Sequence, residues 1–271
     1  VKTMPIPRIL HYPGSKWSMA SWIISHMPEH STYLEPFFGS GAVFFNKQPS
    51  NIETINDLDG QVVNLFREIR IHSKELARMI AFTPLSRQEY YESYEQSGEA
   101  LEDARRFLIR CWQAIGGKTS DRTGWRSLIL SNCPKMTREW DRLPEKILIA
   151  AARIKQAQIE NQPALKLIDR YDRPDVLIYA DPPYILSTRT KRHYACEMTI
   201  DDHIELLECL AKHPGPVLLS GYHHPLYDQL AEDGWKYEEF QANAEAGAKR
   251  TEVLWINPVA ARTGFYQESL F

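Results

Sequence analysis

Two periods of hydrophobic positions run through this chain of 271 residues. VLIYA (176–180) is apolar at every position, the pattern of a strand buried on both faces of a sheet, and PVLLS (216–220) repeats it. TYLEPFF (32–38) and IETIND (52–57) read as shorter strands, and GSGAVFFNK (39–47) as a glycine turn opening into a helix. GSKWSMASWIISHM (14–27) predicts a helix, with Ser15 as its N-cap and Pro28 as its stop. LDGQVVNLFREIRIHSKEL (58–76) carries Val62, Val63, Phe66 and Ile69 at helical spacing, and TIDDHIELLECLAKH (199–213) predicts a further helix.

The pattern changes between residues 73 and 152. Helical spacing dominates there, no strand stands out, and one polar loop, GGKTSDRTGWRS (116–127), interrupts it. Strands alternating with helices on either side of this segment predict a mostly parallel sheet covered by helices on both faces. KYEEFQA (236–242) and TEVLWINP (251–258) have no helix between them, so they are expected to close one sheet edge as an antiparallel hairpin. The predicted architecture is α/β: one domain made of 1–72 and 153–271, interrupted by a helical insert at 73–152.

Composition adds boundaries. At 43% hydrophobic and 25% charged residues the composition is ordinary for a soluble globular protein. No uncharged run approaches the ~18–20 residues that span a bilayer. The first ten residues hold Lys2 and Arg8 without the apolar core of a secretion signal. Cys111, Cys133, Cys196 and Cys209 are scattered with no Cys-x-x-Cys pair, so no zinc or redox motif is expected and a reduced, cytoplasmic setting fits.

The net charge of −3 hides an asymmetry. Residues 104–155 hold twelve Lys and Arg against four acids, a local +8; Arg189, Lys191 and Arg192 add +3; the remainder carries −14. A basic block in an acidic protein is the footprint of a polyanion partner. A solvated helix face is the other explanation, and for a charge run taken alone the commoner one.

Three stretches point to chemistry. In LEPFFGSGAVF (34–44) a strand runs into Phe37-x-Gly39-x-Gly41 and then a helix, the geometry of a cofactor loop at the C-terminal end of a parallel strand. A phosphate loop would end in Gly-Lys-Ser/Thr, and a dinucleotide loop would need a third glycine where Phe44 stands, so the expected ligand lacks a pyrophosphate. A purely structural glycine turn is equally compatible. The second strand ends in Asn56-Asp57-Leu58-Asp59; an acid here takes a ribose hydroxyl pair or caps the next helix. Asp57 as ligand and Asp59 as cap would satisfy both.

The third stretch is Asp181-Pro182-Pro183-Tyr184, directly after VLIYA. A chance match in a chain of this length is about one in a thousand, and two prolines cannot continue the strand. Aspartate accepts a hydrogen bond from an amino group, the prolines fix the carbonyls, and tyrosine offers a flat face for a base. Together they form a clamp for an exocyclic amine on a planar ring.

With these motifs in this order, the sequence resembles the adenine-N6 DNA methyltransferases of the Dam-like alpha group. YPGSKW (12–17), LEPFFGSG (34–41), NDLD (56–59), an insert and DPPY (181–184) follow that group's order, and the similarity extends to KRTEVLWINP (249–258). The resemblance implies a Rossmann-like methyltransferase sheet, a helical DNA-recognition insert, S-adenosylmethionine as cofactor with S-adenosylhomocysteine as product, and no metal. It implies that Tyr12 and Lys16 touch the cofactor, and that Glu35, Pro36, Phe37, Gly39 and Gly41 cradle its methionine and ribose. Asp57 would hold the ribose hydroxyls, and Leu58 would lie against the adenine ring. Asp181, in reach of both ligands, and Pro182 would take the two N6 protons of the target adenine, Pro183 would stiffen the clamp, and Tyr184 would stack on the base. One departure is Pro163, where the family carries an acid; Glu160 or Asn161 would then contact the cofactor adenine.

The implied partner is double-stranded DNA, met without a membrane by a monomer, in a prokaryotic or phage-encoded setting and with or without a companion restriction enzyme. The expected DNA reader is the 116–127 loop: Lys118, Ser120, Arg122, Thr123, Trp125 and Arg126. Arg189, Lys191 and Arg192 would hold the backbone beside a flipped-out nucleotide. A loop merely solvated by its charges is the alternative. His223 and His224 read as structural or exposed, Tyr90, Tyr91 and Tyr94 as insert core, Trp17 and Trp22 as packing. Cytosine-N4 methylation would favour Ser, and glutamine methylation Asn, in place of Asp181. An RNA adenine would fit the same clamp. A non-catalytic binding protein would be expected to have lost part of these motifs.

Overall fold

The five residues of VLIYA point alternately into two cores. In the computed structural model of the protein, which describes residues 6, 8–116, 121–127, 135–188, 193–243 and 249–263, Val176, Ile178 and Ala180 face one core and Leu177 and Tyr179 the other. The strand is therefore apolar throughout because neither face meets water.

Seven strands form one sheet: β1 (Thr32–Glu35), β2 (Ile52–Asn56), β3 (Gln158–Glu160), β4 (Val176–Ala180), β5 (Val217–Gly221), β6 (Lys236–Asn243) and β7 (Lys249–Ile256). Their spatial order is β3-β2-β1-β4-β5-β7-β6. The first five run parallel, while β7 lies antiparallel to both β5 and β6. The expected hairpin is present, with β6 at the edge and β7 filling the place beside β5.

Helices cover both faces. On one side lie α1 (Ala20–Ser25), α2 (Ala42–Asn46), α3 (Gly60–Ile71), α4 (Ser73–Ala81), α5 (Arg87–Glu92), α6 (Ala100–Gln113), α7 (Lys135–Asp141) and α8 (Leu143–Ile154). On the other lie α9 (Ala164–Arg170), α10 (Ile200–Lys212) and α11 (Pro225–Asp228); α12 (Pro258–Thr263) returns to the first side through Ala260. The helices α4 to α8 share one core with the sheet, where Leu76, Tyr90, Phe107, Trp140 and Ile147 are buried beside Tyr33 and Phe44. Among the described residues no helix is long and apolar enough to cross a membrane.

Two expectations need correction, and two elements went unpredicted. The helix predicted over 14–27 begins only at Ala20, and Met19, not Ser15, stands at its N-cap. Ser15 instead pairs its hydroxyl with Ser40 at 2.9 Å, because residues 12–16 leave the helix axis and enter the mouth of the sheet. The run 58–76 breaks at His72, whose φ of −123° ends α3 before α4 starts. β3 and α9 are too short to show a period: β3 has three residues, none of them buried, and α9 has seven.

Candidate active site

The strand order reverses between β1 and β4. The chain leaves β1 toward β2 and β3 and comes back to β4 on the other side, so loops at these strand ends diverge and open a crevice. A cleft opens there, at the place where open α/β sheets take their ligands. Tyr12, Lys16, Glu35, Phe37, Gly39, Asp57, Leu58, Asp181 and Pro183 all line it.

Pro36, Gly41, Pro182 and Tyr184 are not part of this lining. The Pro36 carbonyl accepts a hydrogen bond from Asn56 Nδ2 at 2.9 Å, tying the exit of β1 to that of β2. Gly41 opens α2 with φ +67°, and a Cβ there would lie 2.4 Å from the Phe38 ring. Its requirement is the turn and the packing beneath the loop. Gly39 does border the cleft: a Cβ on it would come within 3.2 Å of the Tyr12 ring.

Two carboxylates stand along the cleft between β1 and β2. Glu35 is 2% exposed and accepts the Tyr33 hydroxyl at 2.7 Å. Burial outweighs that hydrogen bond and pushes its pKa up to about 8. Asp57 accepts the Gly39 N–H at 2.7 Å and the Asp59 N–H at 2.9 Å, which locks the glycine loop onto the end of β2. Burial still pushes its pKa up to about 6. Asp59 caps α3, accepting the Gln61 N–H at 2.9 Å. Leu58 is 55% exposed beside them, an apolar side chain turned outward at the cleft wall.

The β4 end carries the third carboxylate. Asp181 Oδ1 lies 2.8 Å from Lys16 Nζ, which also donates to the Gly14 carbonyl at 2.8 Å and sits 4.7 Å over the Tyr184 ring. Burial would lower the Lys16 pKa; Asp181, followed by Glu252 and Tyr194, outweighs it and holds the ammonium charged. Burial pushes the Asp181 carboxyl up while Lys16 draws it back. Tyr184 is buried, meets Tyr222 edge to face at 4.5 Å, and donates its hydroxyl to Glu252 at 2.6 Å. The site therefore joins an ammonium, two carboxylates and two tyrosines at the point where a strand is stopped by prolines.

Other predicted residues fall elsewhere. Lys118, Ser120, Arg189, Lys191 and Arg192 lie outside the described residues. Arg122 lies over the Tyr91 ring at 4.5 Å, and Thr123 accepts the Tyr90 hydroxyl through its carbonyl at 2.9 Å. Trp125 donates its indole N–H to Gln113 at 3.0 Å, and Arg87 covers its ring at 5.0 Å. The Arg126 N–H donates to the Gln113 carbonyl at 2.8 Å. The described part of this loop is thus stapled to α5 and α6. Glu160 pairs with Arg170 at 2.7 Å, and Asn161 donates to the Asp57 carbonyl at 2.8 Å, so Asn161 supports the acid loop from behind. His223 bridges Asp228 and Glu239, and His224 caps α11. Trp22 packs on Phe240 at 5.2 Å.

Sequence reasoning missed Tyr179, Tyr194 and Met198 in the cleft lining, and Glu252 beside the clamp. Tyr194 and Met198 sit in a segment without period. Glu252 had a signal: a lone acid inside the apolar strand TEVLWI. Among the described residues no cluster of His, Cys, Asp and Glu could hold a metal ion.

A family model described as D12 class N6 adenine-specific DNA methyltransferase matches residues 12–244. The chain is 23% identical to the type II methyltransferase M1.LlaDCHI of Lactococcus lactis subsp. cremoris, over 91% of this chain and 93% of that one. It is 26% identical to a DNA adenine methylase of Vibrio cholerae (90% of this chain, 92% of that one). A DNA adenine methylase of Salmonella typhi is 24% identical over 79% of this chain and 80% of its own length.

Proposed function

The chain belongs to the D12 class of N6 adenine-specific DNA methyltransferases, and on that premise we propose that it takes its methyl group from S-adenosylmethionine and delivers it to an adenine flipped out of a specific short sequence in double-stranded DNA. Residues 1–72 and 153–271 act as the cofactor-binding and catalytic unit, and 73–152 as the target-recognition insert. The protein works as a monomer, without a metal, in a reduced cytoplasmic compartment.

The cleft suits the cofactor by its donor set. Asp57 is a carboxylate at a β2 terminus, oriented by two backbone N–H groups and able to accept a hydroxyl pair. Glu35 is a buried carboxyl suited to an ammonium group. Exposed Leu58 offers an apolar face next to Asp57 for a base. When bound, S-adenosylmethionine supplies an electrophilic methyl group on sulfur. Tyr12, Lys16, Phe37 and Gly39 complete the residues that would hold it, with Pro36 and Gly41 shaping the loop from beneath.

The chain's own part in the reaction falls to the clamp. An adenine N6 lone pair is delocalised into the ring and is a poor nucleophile. Asp181 accepts one N6–H and the Pro182 carbonyl the other, which favours a nitrogen whose lone pair is free to attack. Positive charge developing on that nitrogen lies beside the Asp181 carboxylate, so the interaction strengthens toward the transition state. Pro183 fixes the backbone and Tyr184 receives the base by stacking. Flipping the base costs a few kcal/mol, and cations of the insert and of the segment after Tyr184 would hold the neighbouring phosphates.

The observation that carries this reading is that Asp181 lines the same cleft as Glu35, Gly39 and Asp57. The test is methylation-sensitive long-read sequencing of DNA from cells expressing the protein, beside a D181A control. N6-methyladenine at one short sequence, absent from the control, is expected. Unmodified adenine in both would overturn the reading.

A further inference from the structure

Glu252 lies on β7, remote in sequence from the glycine loop, the β2 acid and the DPPY stretch. Its neighbours Val253 and Trp255 face the core shared with α9 and α10, so strand alternation turns Glu252 and Leu254 to the opposite face. Glu252 is half-buried there, and both of its oxygens are paired. Oε2 accepts the Tyr184 hydroxyl at 2.6 Å and Oε1 the Tyr222 hydroxyl at 3.2 Å.

Those two bonds restrain different motions. A tyrosine hydroxyl lies on the axis of ring rotation, so the bond to Tyr184 fixes where the ring sits but not how it turns. The turn is set by Tyr222, which meets Tyr184 edge to face at 4.5 Å with 75° between the planes. Because the same carboxylate holds Tyr222, one residue restrains both the position and the plane of the Tyr184 ring. The charge of Glu252 also helps hold Lys16 protonated over that ring.

We propose that Glu252 is a positioning residue for methyl transfer, acting through the Tyr184 hydroxyl to set the surface on which the target adenine stacks. The inference rests on the reading that Tyr184 receives the base. It is tested by a double-mutant cycle in single-turnover methylation with Y184F, which removes only the hydroxyl, and E252A. E252M, which keeps the length of the side chain but offers no oxygen acceptor, replaces E252A if the alanine variant's thermal midpoint falls. Each single substitution is expected to lower kcat about tenfold, the smaller effect of a hydrogen bond to a charged group. The double variant should be no slower than the slower single. Cofactor affinity should fall by less than kcat in all three, since neither Glu252 nor Tyr184 lines the cleft. Additive losses, an unchanged kcat in the Glu252 variants, or a matching loss of cofactor binding would overturn the inference. Absence of N6-methyladenine with the wild-type enzyme would instead overturn the proposed function, and this inference with it.

Discussion

Replacing Glu35 with glutamine should make the cofactor-free protein more stable, by an amount that grows with pH. The carboxyl ends β1, 2% exposed, with the Tyr33 hydroxyl at 2.7 Å. Burial, with the nearby Asp181 charge adding to it, moves its pKa from 4.5 up to about 8. In the unfolded chain Glu35 loses its proton near pH 4.5, whereas in the folded chain it keeps the proton until about pH 8. Between those values the folded state holds a proton that the unfolded state has released, so stability falls as pH rises and levels off above about pH 8. Each pH unit in that window costs about 1.4 kcal/mol. The loss attributable to Glu35 is therefore about 3 kcal/mol at neutral pH and about 5 kcal/mol above the upper limit.

The E35Q side chain has no proton to lose and still accepts from Tyr33. Thermal midpoints measured from acid to alkaline pH should coincide for the two proteins near pH 4.5 and diverge above it. At neutral pH the glutamine variant should melt roughly 6 °C higher or more. A difference that does not widen with pH would refute the reasoning, because Glu35 would then be ionised and fully satisfied in the folded state. The same substitution should weaken binding of a cationic cofactor, so stability and affinity should move in opposite directions.

Three further outcomes follow from the same geometry. D181N should lower single-turnover methylation by about 10²–10³, because the amide presents no charge to the developing cation; near-normal turnover would remove Asp181 from the chemistry. D57N should weaken cofactor binding by about 10–100-fold by calorimetry. Because the Asp57 pKa is raised to about 6, wild-type affinity should fall as pH drops below 6, and the asparagine variant should lose that dependence. G41A should cost about 2–4 kcal/mol in denaturant unfolding, since φ is +67° and the new Cβ would strike the Phe38 ring; unchanged stability would mean the loop rearranges freely.

The site was more legible in the sequence than the elements that frame it. Asp181, Asp57 and Gly39 announce themselves because strand ends and turns demand particular residue types at short spacing. α1 did not, because the apolar positions of 14–27 continue past the point where the backbone leaves the helix. What draws residues 12–16 away is the Lys16–Asp181 pair, a contact across 165 positions that no local pattern encodes. Glu252 stood out as a lone acid in an apolar strand, but its role did not, because its partner Tyr184 lies 68 residues earlier. Periodicity reports burial, and it is silent on which buried polar group meets which.

The charge count of the insert illustrates how pairing alters a sequence-level argument. Arg105 and Arg106 share Glu102, Lys146 pairs with Glu139, and Arg153 reaches from α8 to Glu53 on β2. Glu139 is already in the count, but Glu102 and Glu53 lie outside it and hold three of the twelve cations, so a DNA backbone would meet less positive charge than the local +8 suggests. Arg153 serves a different end. It also donates to the Phe44 carbonyl in α2 at 3.0 Å, while Lys47, fully buried, takes the same Glu53 at 2.7 Å. Two cations on one buried carboxylate hold Glu53 ionised against its burial. Removing one partner of such a buried pair typically costs 3–5 kcal/mol, so this junction is rigid. It fastens the last helix of the insert to the helix that follows the glycine loop.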